Sequence, residues 1–234
     1  EIKLNKLDNV FFYNCDVSNI DDIKKLKKKI LKKTNKIDIL INSAAVIGSV
    51  EKIHKCNVKE WISALNINLV GTFLTIKVFF DLIYRSSHKF IFNFSGGGAF
   101  SDFDSFSAYA ISKAGVVRLT ECISSEYKKI KIFCLAPGFI STQIHNKIFL
   151  NKKKTNQEYF SFLKKNYDRK KNIIKLNNLY ECIQFLLTKK GIIFKGRTLS
   201  INFDPWRSEK FLKKIKKKNN SDIYKLRRIN LNNL

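Results

Sequence analysis

The chain has 234 residues, 44% of them hydrophobic, which is enough to bury a sizeable core and suits one α/β domain better than two. Lys77 and Asp81 interrupt the longest apolar candidate for a bilayer span, at 69–84, and the start Glu1-Ile2-Lys3-Leu4-Asn5 lacks the pattern of a secretory signal, so the expectation is a soluble, cytoplasmic protein with no membrane partner. The net charge of +26 is spread with Asn, Ile and Phe along the whole chain, so it implies no specific nucleic-acid partner; only 210–218, and to a lesser degree 152–154, are dense enough to attract anions locally.

Taken in chain order, short apolar runs alternate with amphipathic stretches, the signature of an α/β fold whose parallel sheet is covered on both faces. Strands are predicted at 10–14, 37–42, 90–94, 131–135 and 198–201. Ser18 with Asp21 caps a first helix carrying Ile23, Leu26 and Ile30, and Asn57 with Glu60 opens a second that runs to about Tyr84. A third helix is predicted over 107–128 and a fourth near 179–187. Between these two, 140–175 is polar and weakly periodic, reading as a mobile flap or as short helices. The residues from 207 read as a basic C-terminal tail, so that 1–234 is a single domain. Cys15, Cys56, Cys122, Cys134 and Cys182 are far apart in sequence and read as reduced, mostly buried thiols, and His54, His88 and His145 have no ligand spacing, so no metal site is expected.

In an open parallel sheet, ligands bind where the loops leave the carboxyl ends of the strands. Three predicted strands exit into small, polar residues: Asn42-Ser43-Ala44-Ala45, Ser95-Gly96-Gly97-Gly98 and Pro137-Gly138-Phe139-Ile140-Ser141-Thr142. No Gly-Lys-Ser/Thr follows Gly96–Gly98, which argues against a nucleoside-triphosphate cradle. Tyr109 and Lys113, four apart on a predicted helix, lie on one face, and an ammonium beside a phenol is expected to lower the phenol's pKa toward the range of a general acid/base.

Together these residues resemble the active site of the short-chain dehydrogenases. Ser95, Tyr109 and Lys113 look like that family's catalytic triad, and Asn68 in Asn66-Ile67-Asn68-Leu69-Val70-Gly71 matches its fourth catalytic position. Asn42–Ala45 is similar to an Asn-Asn-Ala-Gly signature with Ser43 and Ala45 departing from it, and Asp16-Val17 matches the site of adenine contact. The stretch 95–121 is similar to a bacterial subgroup with a Ser-Gly-Gly-Gly-Ala turn, as are Gly196-Arg197, Asp204-Pro205-Trp206 and 224–228.

The resemblance implies a Rossmann-like doubly wound parallel sheet, NAD or NADP as cofactor, and an alcohol or ketone as substrate. Ser95 would bond the substrate oxygen, Tyr109 would exchange its proton, Lys113 would hold the nicotinamide ribose, and Asn68 would bind a water linking Lys113 to solvent. Asp16, Val17, Asn42, Ala44, Ala45, Pro137, Gly138, Ile140 and Thr142 would complete the cofactor site. Phe100, Phe103, Phe106 and Phe139 would shape a pocket for an apolar or ring-shaped substrate, and the two long helices would carry a homodimer or homotetramer contact.

The first glycine is Gly48, so the family's first β-α-β unit, with its glycine-rich pyrophosphate turn, is expected to be absent. One reading is a working oxidoreductase cut at its start; the other is a non-catalytic relic that survives as a binding or interaction protein. Without its neighbours, 10–14 is expected either to pair with 37–42 or to hang loose and leave an exposed strand edge.

Overall fold

A computed structural model describes residues 9–145, 148–149, 157–167, 169–217 and 223–226. Helix α1 (Ile20–Leu31) leads to strand β1 (Ile39–Asn42). Helices α2 (Val58–Leu65) and α3 (Gly71–Arg85) are joined without a break by a π-turn, Asn66–Val70. There follow β2 (Phe90–Phe94), α4 (Ser107–Glu126), β3 (Lys131–Ala136), α5 (Gln157–Asn166), α6 (Arg169–Leu186), β4 (Thr198–Ser200) and α7 (Glu209–Lys217). The strands pair in parallel in the order β1-β2-β3-β4, with Asn42 opposite Asn93 and Leu135 opposite Leu199.

Because both faces are covered, β2 and β3 read as nearly unbroken apolar runs. Phe90, Phe92, Phe133, Leu135 and Leu199 pack against Cys182 and Leu186 of α6, Trp206, and Leu212 and Ile215 of α7. On the other face, Ile91 and Ile132 meet Ile23 of α1, Ile76, Phe79, Leu82 and Ile83 of α3, and Ile123 of α4. The fold is thus the expected α/β, Rossmann-like one, with helices on both sides of a parallel sheet.

Several local expectations are corrected. Residues 10–14 form no strand: β1 pairs only with β2 among the described residues, and Phe11 and Phe12 are exposed, with the Lys33 ammonium 4.2 Å from the Phe11 ring centroid. A strand without a neighbour to take its backbone hydrogen bonds has nothing to hold it extended, so the loose alternative is the one observed. The first helix is capped by Asn19, whose side chain accepts from the Asp21 and Asp22 amides; Ser18 instead gives its amide and hydroxyl to the Asp16 carboxylate at 2.8 and 2.7 Å. Asn57 does cap its helix, accepting from the Glu60 amide at 3.0 Å.

The helix at 179–187 begins ten residues earlier, at Arg169, and α5 occupies part of the former flap. The anion-attracting stretch 152–154 lies outside the described residues, and of 210–218 the part through Lys217 is helical. Cys134 and Cys182 are buried, Cys15 and Cys56 half-buried, and Cys122 exposed. The continuous helix Val58–Arg85 is long and apolar enough to cross a bilayer by length and composition alone, contrary to the expectation from 69–84, and its inward side chains lie in the core just described.

Candidate active site

The carboxyl ends of all four strands open into one cleft of about 850 Å³. It is lined by Ser43 and Ala45 after β1, Ser95–Gly98 after β2, Pro137–Ile140 and Thr142 after β3, and Ser200 at the end of β4 with Asp204 beyond it; Tyr109 and Lys113 reach it from the first turns of α4. Ser95 is fixed by its amide, which bonds the Leu135 carbonyl at 2.8 Å, yet its hydroxyl is buried with no hydrogen-bond partner among the described residues. A buried, unpaired hydroxyl carries a desolvation cost that calls for an explanation.

Tyr109 lies against the same turn. A Cβ built on Gly96 would collide with the phenol oxygen, so only glycine lets the ring approach the residue next to Ser95. The Lys113 side chain is buried, its Nζ 3.0 Å from the Phe94 carbonyl and 5.5 Å from the Tyr109 ring centroid. Burial pulls its pKa down to about 8. The expected lowering of the Tyr109 pKa is reversed: burial, with the Tyr159 phenol adding to it, pushes the Tyr109 hydroxyl up. Desolvation of the phenol dominates, and the ammonium expected to oppose it is engaged by the Phe94 carbonyl.

Asn68 stands in the π-turn and is 1% exposed. Its Oδ1 accepts from the Val46 amide at 2.8 Å, while its Nδ2 donates to the Val46 carbonyl and to Ser112 Oγ, both at 2.9 Å. It therefore ties the loop after β1 to the helix carrying Tyr109 and Lys113. Asn42 is engaged in a polar chain across the sheet: Thr75 Oγ1 donates to Asn42 Oδ1 (2.8 Å), Asn42 Nδ2 to Asn93 Oδ1 (2.9 Å), and Asn93 Nδ2 to Thr120 Oγ1 (3.0 Å).

Of the remaining predicted cofactor residues, Ala45, Pro137, Gly138, Ile140 and Thr142 line the cleft, whereas Asp16, Val17 and Ala44 do not. Gly138 has φ +74°, and a Cβ there would meet Asn202 Nδ2 at 2.6 Å, while Asn202 bonds the Pro137 carbonyl at 3.1 Å. Val17 packs against Gly71, where a Cβ would come within 2.8 Å of it.

Of the four predicted pocket phenylalanines, Phe100, Phe103 and Phe139 line the cleft, and Phe106 is buried behind Phe103 with their rings stacked at 4.5 Å. Tyr159 and Phe162 of α5 add to the aromatic wall, Tyr159 edge-on to Phe103 at 5.0 Å. Asp204 and Tyr224 close the far side. Sequence reasoning missed Tyr159, Asp204 and Tyr224 as cleft residues, because each reaches the site through contacts distant in sequence that no local period records.

With this geometry in view, the likenesses to known proteins are of one kind. The profile of the family described as short chain dehydrogenase matches residues 1–153, and the chain belongs to that family. It is 28% identical over 138 residues to a 3-oxoacyl-[acyl-carrier-protein] reductase of Thermotoga maritima, covering 58% of this chain and 56% of that protein. Its fold resembles a short-chain dehydrogenase/reductase of Saccharomyces cerevisiae (TM-score 0.71, 21% identity, 83% of this chain and 77% of the other). It also resembles a short-chain dehydrogenase of Shigella flexneri complexed with NADP (TM-score 0.65, 16% identity, 82% and 74%). The chain spans about half the length of the curated relatives it matches.

Proposed function

We propose that this chain carries the catalytic half of a nicotinamide-dependent reductase or dehydrogenase acting on an alcohol or ketone. The observation that carries the reading is the buried, unpartnered Ser95 hydroxyl in the cleft that also holds Tyr109 and Lys113. In the reduction direction Ser95 donates a hydrogen bond to the substrate oxygen, where negative charge develops. Tyr109, kept protonated by burial, gives that oxygen its proton. Lys113 holds its place through the Phe94 carbonyl and offers its remaining N–H groups to ribose hydroxyls.

The cleft suits the nicotinamide end of NAD or NADP: Pro137, Gly138, Ile140 and Thr142 would hold it, Gly138 by allowing close backbone approach. When bound, the nicotinamide supplies or accepts the hydride. The aromatic wall of Phe103, Phe139, Tyr159 and Phe162 favours an apolar or ring-shaped substrate. Exposed apolar side chains on the long helices, among them Val58, Ile62, Phe73 and Ile111, support association of copies into a homodimer or homotetramer.

A second reading, a non-catalytic interaction protein, is favoured by β1, which is a sheet edge among the described residues and exposes Ile39 and Ile41. Fluorescence titration with NADH and NADPH, followed by turnover of cyclic ketones, separates the two. Tyr109→Phe is expected to cut turnover about 10²–10⁴-fold with an unchanged melting curve. Binding of neither nucleotide, or full turnover in that variant, would overturn the enzymatic reading.

A further inference from the structure

Leu226 lies 105 positions from Glu121 of the helix that carries Tyr109, yet it is gripped by that helix. Glu121 follows Lys113 by two helical turns and its side chain is 8% exposed. One carboxylate oxygen accepts from Arg118 Nη1 and the other from the Leu226 amide, both at 2.6 Å, while Arg118 Nη2 donates to the Leu226 carbonyl at 2.7 Å. The pair thus holds both backbone polar groups of a single residue. Leu226 also packs against the buried cluster of Ala99, Val116, Val117 and Cys134.

A second grip lies three residues earlier. The Arg197 guanidinium donates to the Ile223 carbonyl, and the Thr198 amide of β4 bonds the Tyr224 carbonyl at 2.9 Å. Between the grips, Tyr224 is bent into the left-handed region, φ +61°, which a non-glycine residue adopts only where its surroundings impose it. That bend sets the Tyr224 ring 5.6 Å from Phe211 and its phenol on the Asp204 carboxylate, and it turns Tyr224 and Lys225 to the cleft.

We propose that Tyr224 and Lys225 are a wall of the reaction cleft, and that Arg118 and Glu121 are positioning residues that hold this wall against the site through Leu226 and so set the grip on substrate. Both stand on the rigid helix that presents Tyr109 and Lys113, so the wall keeps one distance from the reacting groups. Removing the clamp takes away binding surface that serves substrate and transition state alike, which raises KM and spares kcat. The kinetic part rests on the proposed reductase reading; the wall itself does not.

Hydrogen exchange on wild type, Glu121→Gln and Arg118→Ala tests it, the second variant being half exposed and safe for folding. The Leu226 and Thr198 amides are expected to exchange about tenfold faster in both variants, with the amides of 112–117 unchanged. Unaltered exchange at Leu226, or an equal loosening of α4, overturns the proposal. With a ketone that the wild type reduces, KM is expected to rise about tenfold with kcat within about twofold; a fall in kcat at constant KM overturns it equally. Should the wild type reduce nothing while the exchange pattern appears, the reductase reading fails and the wall stands.

Discussion

Lys113 shows how far the fold controls a single proton. Its ammonium is penalised by burial in the folded chain, which brings its pKa from 10.5 to about 8, and is not penalised in the unfolded one. The unfolded chain therefore binds more protons between these two values, and stability rises with pH across that window. Urea titrations at pH 7 and pH 9.5 are expected to show wild type gaining roughly 2 kcal/mol relative to Lys113→Met, at about 1.4 kcal/mol per pH unit above 8. An equal difference at both pH values would refute the assignment. The spacing of Tyr109 and Lys113 was legible in the sequence because four residues is one helical turn. The direction of the Tyr109 shift was not, because it depends first on how deeply the ring is buried, beside a glycine that lets it settle there, and then on Tyr159, fifty residues on.

Among the elements, the joined helix α2–α3 does the most to assemble the site. Its π-turn presents Asn68 inward, where three hydrogen bonds join the loop after β1 to α4. Asn68→Leu would leave the Val46 amide and carbonyl and Ser112 without these partners, at a cost of roughly 2–4 kcal/mol in chemical denaturation. Unchanged stability would mean that Val46 finds other partners. Helix starts were readable where one capping residue stood alone, as at Asn57. At Ser18 and Asn19 two candidates were adjacent, and the nearby Asp16 carboxylate decided the matter by capturing the serine. The first half of α6, Arg169–Lys175, was missed because its Lys and Asn residues carry no clear apolar period.

For the whole molecule, the layered architecture and the order of motifs followed from the alternation of apolar runs, whereas the sheet's outer boundary did not, since it depends on which strands find neighbours. Ile39 and Ile41 are exposed on β1, which is an edge among the described residues, and a bare edge templates pairing between copies. The net charge of +26 opposes such contact at low ionic strength. Light scattering is therefore expected to show association that grows as salt is raised from about 0.05 to 0.5 M, because screening shortens the reach of the repulsion, and Ile41→Lys is expected to suppress it. Association that ignores this substitution would place the sticky surface elsewhere.

The asparagines facing each other at the ends of β1 and β2 bear on how this sheet finds its alignment. Strands made of Phe, Ile and Leu could slide past one another by two positions and still bury oil against oil. Sliding would break the bond between Asn42 and Asn93 and leave the buried Asn93 carbonyl oxygen without its donor, so the pair acts as tooth and notch and favours one setting. Ser43 and Ser95 begin just beyond that tooth, so the pair sets the spacing of two loops that line the cleft.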